Sequence, residues 1–306
     1  MEEQAGPALL RALDALEYAF VPVTPATHER VVARPEKARA RDLRDVFGWS
    51  LEFDEDLLSG DLFATLRDGG LVARCGGGWK SKVRASTVAG RLFLHSAFPT
   101  DEEDSVFLGP DSLRFAAFLE AELGAAPQAR RLVDIGAGAG VGGIVAAAHL
   151  PGAAVELVDV NGKALRFARA NAAHAGVAVA TYRSDGVEAV APGFDLAIAN
   201  PPFIIDEGGP AYRAGGGMLG AELSLQWARA AAAKLAPGGR MLLYTGSAIV
   251  AGRDALREGL ERELPALGCT VVYREIDPDI FGEELERPAY RDVERIAAVG
   301  AVIVKD

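Results

Sequence analysis

Cysteine is scarce in this chain of 306 residues: Cys75 and Cys269 are its only two, far apart and without metal-ligand spacing. That excludes a disulfide framework and a cysteine-held structural metal, and it predicts free thiols in a reducing compartment. No stretch of about 18 or more uninterrupted apolar residues occurs, so nothing is predicted to span a membrane. The opening Met1-Glu2-Glu3-Gln4 is acidic, where a secretory leader would be basic and then apolar. The expected location is therefore cytoplasmic. There is no internal repeat and no low-complexity tract. A net charge of −11 argues against broad, nonspecific adhesion to nucleic acid. Acid is nonetheless missing from one stretch. Between Asp68 and Asp101 there is none, yet Arg74, Lys80, Lys82, Arg84 and Arg91 lie there. Residues 1–100 carry 13 Lys/Arg against 14 Asp/Glu, and the rest 19 against 29. The strip at 74–91 is thus a candidate nucleic-acid contact.

Half of the residues are hydrophobic and a quarter charged, an ordinary globular composition, and the length suits two domains. Leu9, Leu10, Leu13, Leu16 and Phe20 have helical spacing over 8–20. Pro35 is a natural first-turn residue for a second helix over Glu36–Phe47, with Lys37, Arg41 and Arg44 on one face. A third helix is expected over Asp56–Leu66. Lys82–Val88 and Arg91–His95, joined at Ala89-Gly90, read as a hairpin. Helices followed by a basic hairpin predict a small α+β, winged-helix-like substrate-recognition domain over 1–100. A solvated surface around a packing module would use the same residues.

Residues 101–130 read as a bridging helix, through Phe115, Phe118 and Leu119, and a linker at Ala125-Ala126-Pro127. From Arg131 the pattern changes. Strands near 131–135, 154–159, 177–183, 194–199 and 240–246 alternate with helices. This predicts an α/β, doubly wound parallel sheet over 131–306. The tail segments Cys269–Ile276 and Ile296–Val304, with no clear helix between them, predict an antiparallel addition at the sheet edge.

Two features of that second region carry chemistry. Leu132-Val133-Asp134-Ile135 runs into Gly136-Ala137-Gly138-Ala139-Gly140, a strand ending in a glycine turn that opens a helix. Glycines let backbone approach a ligand and adopt positive φ. Counted from Gly138, the turn fits the dinucleotide pattern Gly138, Gly140, Gly143, with Asp159 twenty-one residues on. Counted from Asp134, it fits the D-x-G-x-G-x-G turn of S-adenosylmethionine-dependent methyltransferases. A tight strand–helix crossing needs similar glycines. Asp159 closes the second strand, where a carboxylate can accept both hydroxyls of a ribose from either cofactor. Asp185, past the third strand, is placed to reach an adenine amino group, although Asp-Gly is also a common turn.

The second feature is Asn200-Pro201-Pro202-Phe203, after the apolar run Phe194–Ala199. Each proline removes a backbone donor and fixes its own φ, so the chain leaves the sheet as a stiff polar corner tipped by an aromatic. Carboxyl ends of strands are where open α/β sheets hold ligands. The glycine turn, Asp159 and this corner together resemble the amino- and amide-nitrogen methyltransferases, which include the adenine N-methylases of DNA and RNA and the glutamine methyltransferases of release factors. The resemblance covers about residues 105–260.

It implies a seven-stranded methyltransferase sheet with an antiparallel last strand, S-adenosylmethionine as cofactor, and no metal. Asp134, Gly136, Gly138, Gly140, Asp159, Asp185 and Asn200 would bind that cofactor. Gly109 and Asp111 match the loop that contacts its methionine part. The Asn200 side-chain oxygen and the Pro201 carbonyl would each accept one N–H of a planar NH2 group, and Pro202 would stiffen the corner. The nitrogen lone pair would then point at the methyl. Phe203 would stack on the flat target and steady positive charge developing on nitrogen. Gly215-Gly216-Gly217-Met218-Leu219-Gly220, before a helix with Glu222, Leu223 and Trp227, is a candidate lid.

The implied substrate is a protein or RNA of the translation machinery. The post-motif glycine loop favours a protein glutamine; Phe203 and the basic hairpin favour an RNA or DNA base, adenine or guanine. The acid excess in 101–306 tips the expectation toward protein. A nicotinamide-dependent oxidoreductase explains the glycine turn and leaves the corner unexplained, and a cofactor-binding module without catalysis has no use for Asn200. The acidic stretch Asp277–Leu285 has no role legible in the sequence.

Overall fold

The computed structural model describes residues 4–124, 129–205 and 215–306. The expected linker at Ala125–Pro127 lies outside them. Helix α1 (Ala5–Ala15) buries Leu9, Leu10 and Leu13. It stops short of Phe20 because Glu17 takes a positive φ of 53°. Phe20 then runs extended beside Thr87, whose N–H donates to the Phe20 carbonyl at 2.8 Å. Helix α2 (Pro25–Val32), capped by Thr24, buries only His28. With no apolar stripe, it leaves no periodicity to read.

The expected helix over Glu36–Phe47 is broken. A single 3-10 turn at Pro35–Lys37 is followed, after a gap, by the short α3 (Leu43–Phe47). The Ala40 N–H turns away to the Glu52 carbonyl at 2.8 Å, and Asp42 caps α3 by accepting the Asp45 N–H at 2.8 Å. Side-chain capping outcompetes helix continuation there, so Lys37, Arg41 and Arg44 share no helical face. Helix α4 (Gly60–Asp68) starts after its Ser59 cap rather than at Asp56. Strands β1 (Val72–Cys75) and β2 (Gly78–Ser81) form a short hairpin absent from the sequence reading. Strands β3 (Val83–Val88) and β4 (Arg91–Ser96) form the expected one. Its two-residue turn, Ala89-Gly90, has positive φ at both positions, as the right-handed strand twist favours.

Helix α5 (Pro110–Leu123) leads into the main sheet. In order come β5 (Arg131–Ile135), α6 (Val141–His149), β6 (Ala154–Asp159), α7 (Gly162–Ala175), β7 (Val179–Arg183) and β8 (Phe194–Ala199). Next are α8 (Glu222–Lys234), β9 (Leu235–Val250), the two-residue β10 (Arg253–Asp254), α9 (Ala255–Glu263), β11 (Cys269–Asp277) and β12 (Arg295–Lys305). The sheet order is β11-β12-β9-β8-β5-β6-β7, with β10 paired to β9. Pairings among β5 to β9 are parallel; β12 is antiparallel to both β9 and β11. This is the doubly wound sheet with an antiparallel last strand. Strand β9 is longer than expected because its C-terminal half pairs with β12 as far as Ile249.

The winding reverses at β5: the chain moves out through β6 and β7, then returns to lay β8 on the other side. A crevice opens between strand ends at such a reversal. The register Ile135↔Ala199 sets Gly136 and Asn200 side by side at its mouth. The residues before 100 share a core with the sheet. Leu9, Phe47 and Phe93 belong to one buried cluster with Ile144 of α6 and Phe167 of α7.

Candidate active site

The glycine turn is open backbone held from outside. Gly136, Gly138 and Gly140 have φ of 69°, 54° and 80°. The Gly138 N–H donates to Asp159 Oδ2 at 2.8 Å, and the Asn161 N–H to Asp159 Oδ1 at 2.8 Å. Asp134 Oδ2 accepts the Gly143 N–H at 2.7 Å. A carboxylate from the strand thus caps the first turn of α6 and meets its dipole. A Cβ on Gly143 would lie 2.4 Å from Leu157, so that glycine serves helix–strand packing. Burial pushes the Asp134 carboxyl up to about 7, against the lowering by the Gly143 N–H. Burial likewise raises Asp159, against hydrogen bonds from Asn161 and Gly138.

A cavity of about 580 Å³ lies over this turn. It gathers Asp111, Asp134, Gly136, Gly138, Asp159 and Asp185 with all four residues Asn200–Phe203. Gly109 and Gly140 are not among its lining residues. Gly140 is the N-cap of α6, with Ala168 where its Cβ would project, and Gly109 precedes α5 against the Phe107 ring. Asp111 is buried at the cavity wall, where it accepts from Tyr244 Oη at 2.8 Å. Arg114 bridges it, at 3.5 Å, to Asp277 at 2.9 Å. Burial raises its carboxyl despite the tyrosine hydrogen bond.

The Asn200–Phe203 corner is held by contact. Asn200 makes no side-chain hydrogen bond to any described residue, so its amide oxygen is available at the cavity. A Cβ on Gly220 would sit 2.0 Å from the Phe203 carbonyl oxygen, and one on Gly246 2.2 Å from the Phe203 ring. Glycine is needed at both because the corner lies directly on them. The described part of the 215–220 loop is seated there, with the Gly215 N–H donating to the Ile204 carbonyl at 2.9 Å. Phe203 meets Phe281 edge to face at a centroid distance of 5.5 Å. Tyr290 Oη, fully buried, accepts the Ile205 N–H at 2.7 Å. The acidic stretch after β11 therefore walls the Phe203 end of the cavity, a place only contact could reveal.

Trp227 lies on α8, the helix after the loop, as expected. Its indole reaches to 2.6 Å from a notional Cβ on Gly136 and 3.4 Å from one on Gly186. It closes the glycine-turn end of the cavity. The basic strip divides. Arg84 is buried, donates through Nε to the Gly48 carbonyl at 3.0 Å, and is pulled down to about 10 by burial. It is a core residue and cannot meet phosphate. Arg74 lies over the Trp79 ring at 4.0 Å. Among the described residues Arg74, Lys80, Lys82 and Arg91 have no ion pair. Among the same residues there is no cluster of His, Cys, Asp and Glu that could hold a metal ion.

Residues 114–260 match the methyltransferase small domain family. The chain is similar to a ribosomal RNA small subunit methyltransferase C of Hahella chejuensis, 47% identical over 24% of this chain and 22% of the relative. It is also similar to a release factor glutamine methyltransferase of Koribacter versatilis, 31% identical over 43% of this chain and 52% of the relative. The matched segments thus span about a fifth and a half of those relatives. In fold it resembles Trm5b of Pyrococcus abyssi, with a TM-score of 0.50 at 14% identity, over 77% of this chain and 62% of that one. Residues 114–260 are a methyltransferase small domain, a methyltransferase module of the S-adenosylmethionine-dependent class.

Proposed function

We propose that the whole chain is an S-adenosylmethionine-dependent N-methyltransferase whose acceptor is the exocyclic amino group of an RNA base. The residues suit that cofactor. The cavity falls within the roughly 300–1,000 Å³ of small-molecule sites, Gly138 presents open backbone to it, and Asp159 and Asp185 offer acceptors for hydroxyl and amino groups. When bound, the cofactor supplies an electrophilic methyl group. The protein's part is to hold the acceptor nitrogen. Asn200 Oδ1 and the Pro201 carbonyl accept its two N–H bonds, which turns its lone pair out of conjugation. Fixing that geometry is itself a large share of catalysis.

The observation that carries the choice of a base is the aromatic pair at the acceptor end. Phe203 and Phe281 meet at 5.5 Å, both partly buried and both lining the cavity, so a flat ring entering there is met by aromatic surface rather than by one side chain alone. The unpaired cations of the β1–β2 hairpin suit a polyanion. In this reading residues 1–100 recognise substrate, 101–130 bridge, 131–306 hold the cofactor, and the enzyme works in the cytoplasm. No helix among the described residues is long and apolar enough to cross a membrane.

The test is incubation with tritiated S-adenosylmethionine and ribosomal extract. Nuclease-sensitive label is expected, and binding that weakens steeply with salt, as several phosphate contacts require. Protease-sensitive label would favour the second reading, a protein glutamine amide. That reading is supported by the likeness to the release factor enzyme over 146 residues.

A further inference from the structure

Asn171 lies on α7, is fully buried, and does not line the cavity. Its side-chain oxygen accepts the Leu94 N–H at 2.8 Å, and its nitrogen donates to the Leu94 carbonyl at 3.0 Å. These two bonds copy what a neighbouring strand would give one residue of β4 on the edge facing away from β3. The second hydrogen of the same nitrogen goes to the Ala139 carbonyl at 2.8 Å. Ala139 sits inside the glycine turn and lines the cavity. One amide thus joins a hairpin that precedes residue 100 to the turn at the cofactor end. Three backbone groups would otherwise be buried without these partners.

Other contacts fasten the same region to α7. His174 Nε2 lies 2.8 Å from Asp14 Oδ2 of α1. Lys163 pairs with Glu102 at 3.0 Å and Asp104 at 2.9 Å. Those contacts stop at the helix surface, whereas Asn171 passes through to the turn.

We propose that Asn171 is a positioning residue that couples the β3–β4 hairpin to the cofactor turn, so that order in one stabilises order in the other. Binding free energies are linked reciprocally: whatever holds the turn tightens the hairpin, and whatever orders the hairpin raises affinity for the cofactor. This rests on the cofactor reading above.

The test has two arms, both on the full chain. In the wild type, saturating S-adenosylhomocysteine should slow amide exchange in peptides covering 91–96, although none of those residues lines the cavity. In Asn171→Asp, which keeps the acceptor for Leu94 but sets a carboxylate against two carbonyls, affinity for S-adenosylhomocysteine should fall about tenfold. Turnover at saturating S-adenosylmethionine should stay within about threefold and the exchange effect should vanish. A merely structural residue would instead lower the active fraction at unchanged affinity. Unaltered exchange at 91–96 in the liganded wild type overturns the coupling even where the variant does not fold. So does a variant that binds within about twofold of wild type. Wild-type protein that binds no S-adenosylhomocysteine sinks the cofactor reading itself, a result separable from the other two.

Discussion

The two halves of the site follow neighbouring parallel strands, β5 and β8, yet are stiffened by opposite means. The turn at Gly136–Gly140 has an adaptable backbone, and two side chains from elsewhere pin it, Asp159 and Asn171, while Asp134 caps the helix behind it. The corner at Asn200–Phe203 is stiff in its own covalent structure and lies hard against Gly220 and Gly246. A turn held by hydrogen bonds can adjust to a ligand but depends on distant partners and on pH. A corner held by prolines and contact keeps its shape at any pH, and one added methyl group disturbs it. In the proposed reading, the first half binds the cofactor and the second orients the acceptor.

The sharpest way to separate the halves is Asn200→Ala. Transfer should fall by roughly 10²–10³, the usual effect of losing one oriented polar group at the reacting atoms. Cofactor affinity by calorimetry should stay within about threefold. Unchanged turnover would refute the acceptor role of Asn200.

Asp159→Ala should do the reverse. It removes charge-assisted hydrogen bonds to the Gly138 and Asn161 amides, of the class worth about 1.5–3 kcal/mol. Affinity for S-adenosylmethionine should drop by about ten- to a hundredfold, with a smaller effect on turnover at saturation. Equal losses in the two quantities would show that the halves do not act separately.

Gly220→Ala tests contact together with backbone strain. The added carbon meets the Phe203 carbonyl at 2.0 Å, at a backbone φ of 95°. Overpacking of this kind costs about 1–3 kcal/mol, so a melting temperature lowered by a few degrees is expected. Turnover should fall and cofactor affinity should hold.

The last test is electrostatic. The Asp134 carboxyl is raised to about 7 in the folded chain from an ordinary value of 3.8. Between those two pH values the unfolded chain has lost a proton that the folded chain keeps, so stability contributed by this group declines as pH rises toward 7. Asp134→Asn removes that dependence. Thermal melts should show the variant gaining on wild type from pH 4 to pH 8, and a constant difference would contradict the shift.

Much of the second region was legible because parallel strands buried on both faces read as short apolar runs. Ala154–Asp159 and Phe194–Ala199 were bounded correctly for that reason. The corner was legible because two successive prolines leave a chain few courses. Helix α3 was not, since Asp42 and Asp45 divert the backbone through side-chain hydrogen bonds that apolar spacing does not register. Nor was the burial of Arg84. A run of basic residues looks the same whether its members point outward or, like this one, turn toward Gly48 and Phe20 in the core.

By itself, then, the sequence determined the local stiffness and chemistry of the two turns, because glycine, proline and a carboxylate at a strand end act within a few residues of themselves. Which turns would meet was decided only by the tertiary structure. The reversal of winding at β5 sets Gly136 beside Asn200, Phe281 arrives from a stretch nearly eighty residues on, and Asn171 ties in Leu94 from seventy-seven residues away. Those partners are chosen by strand order and packing, and residues that distant leave no periodicity or spacing in the chain by which to find one another.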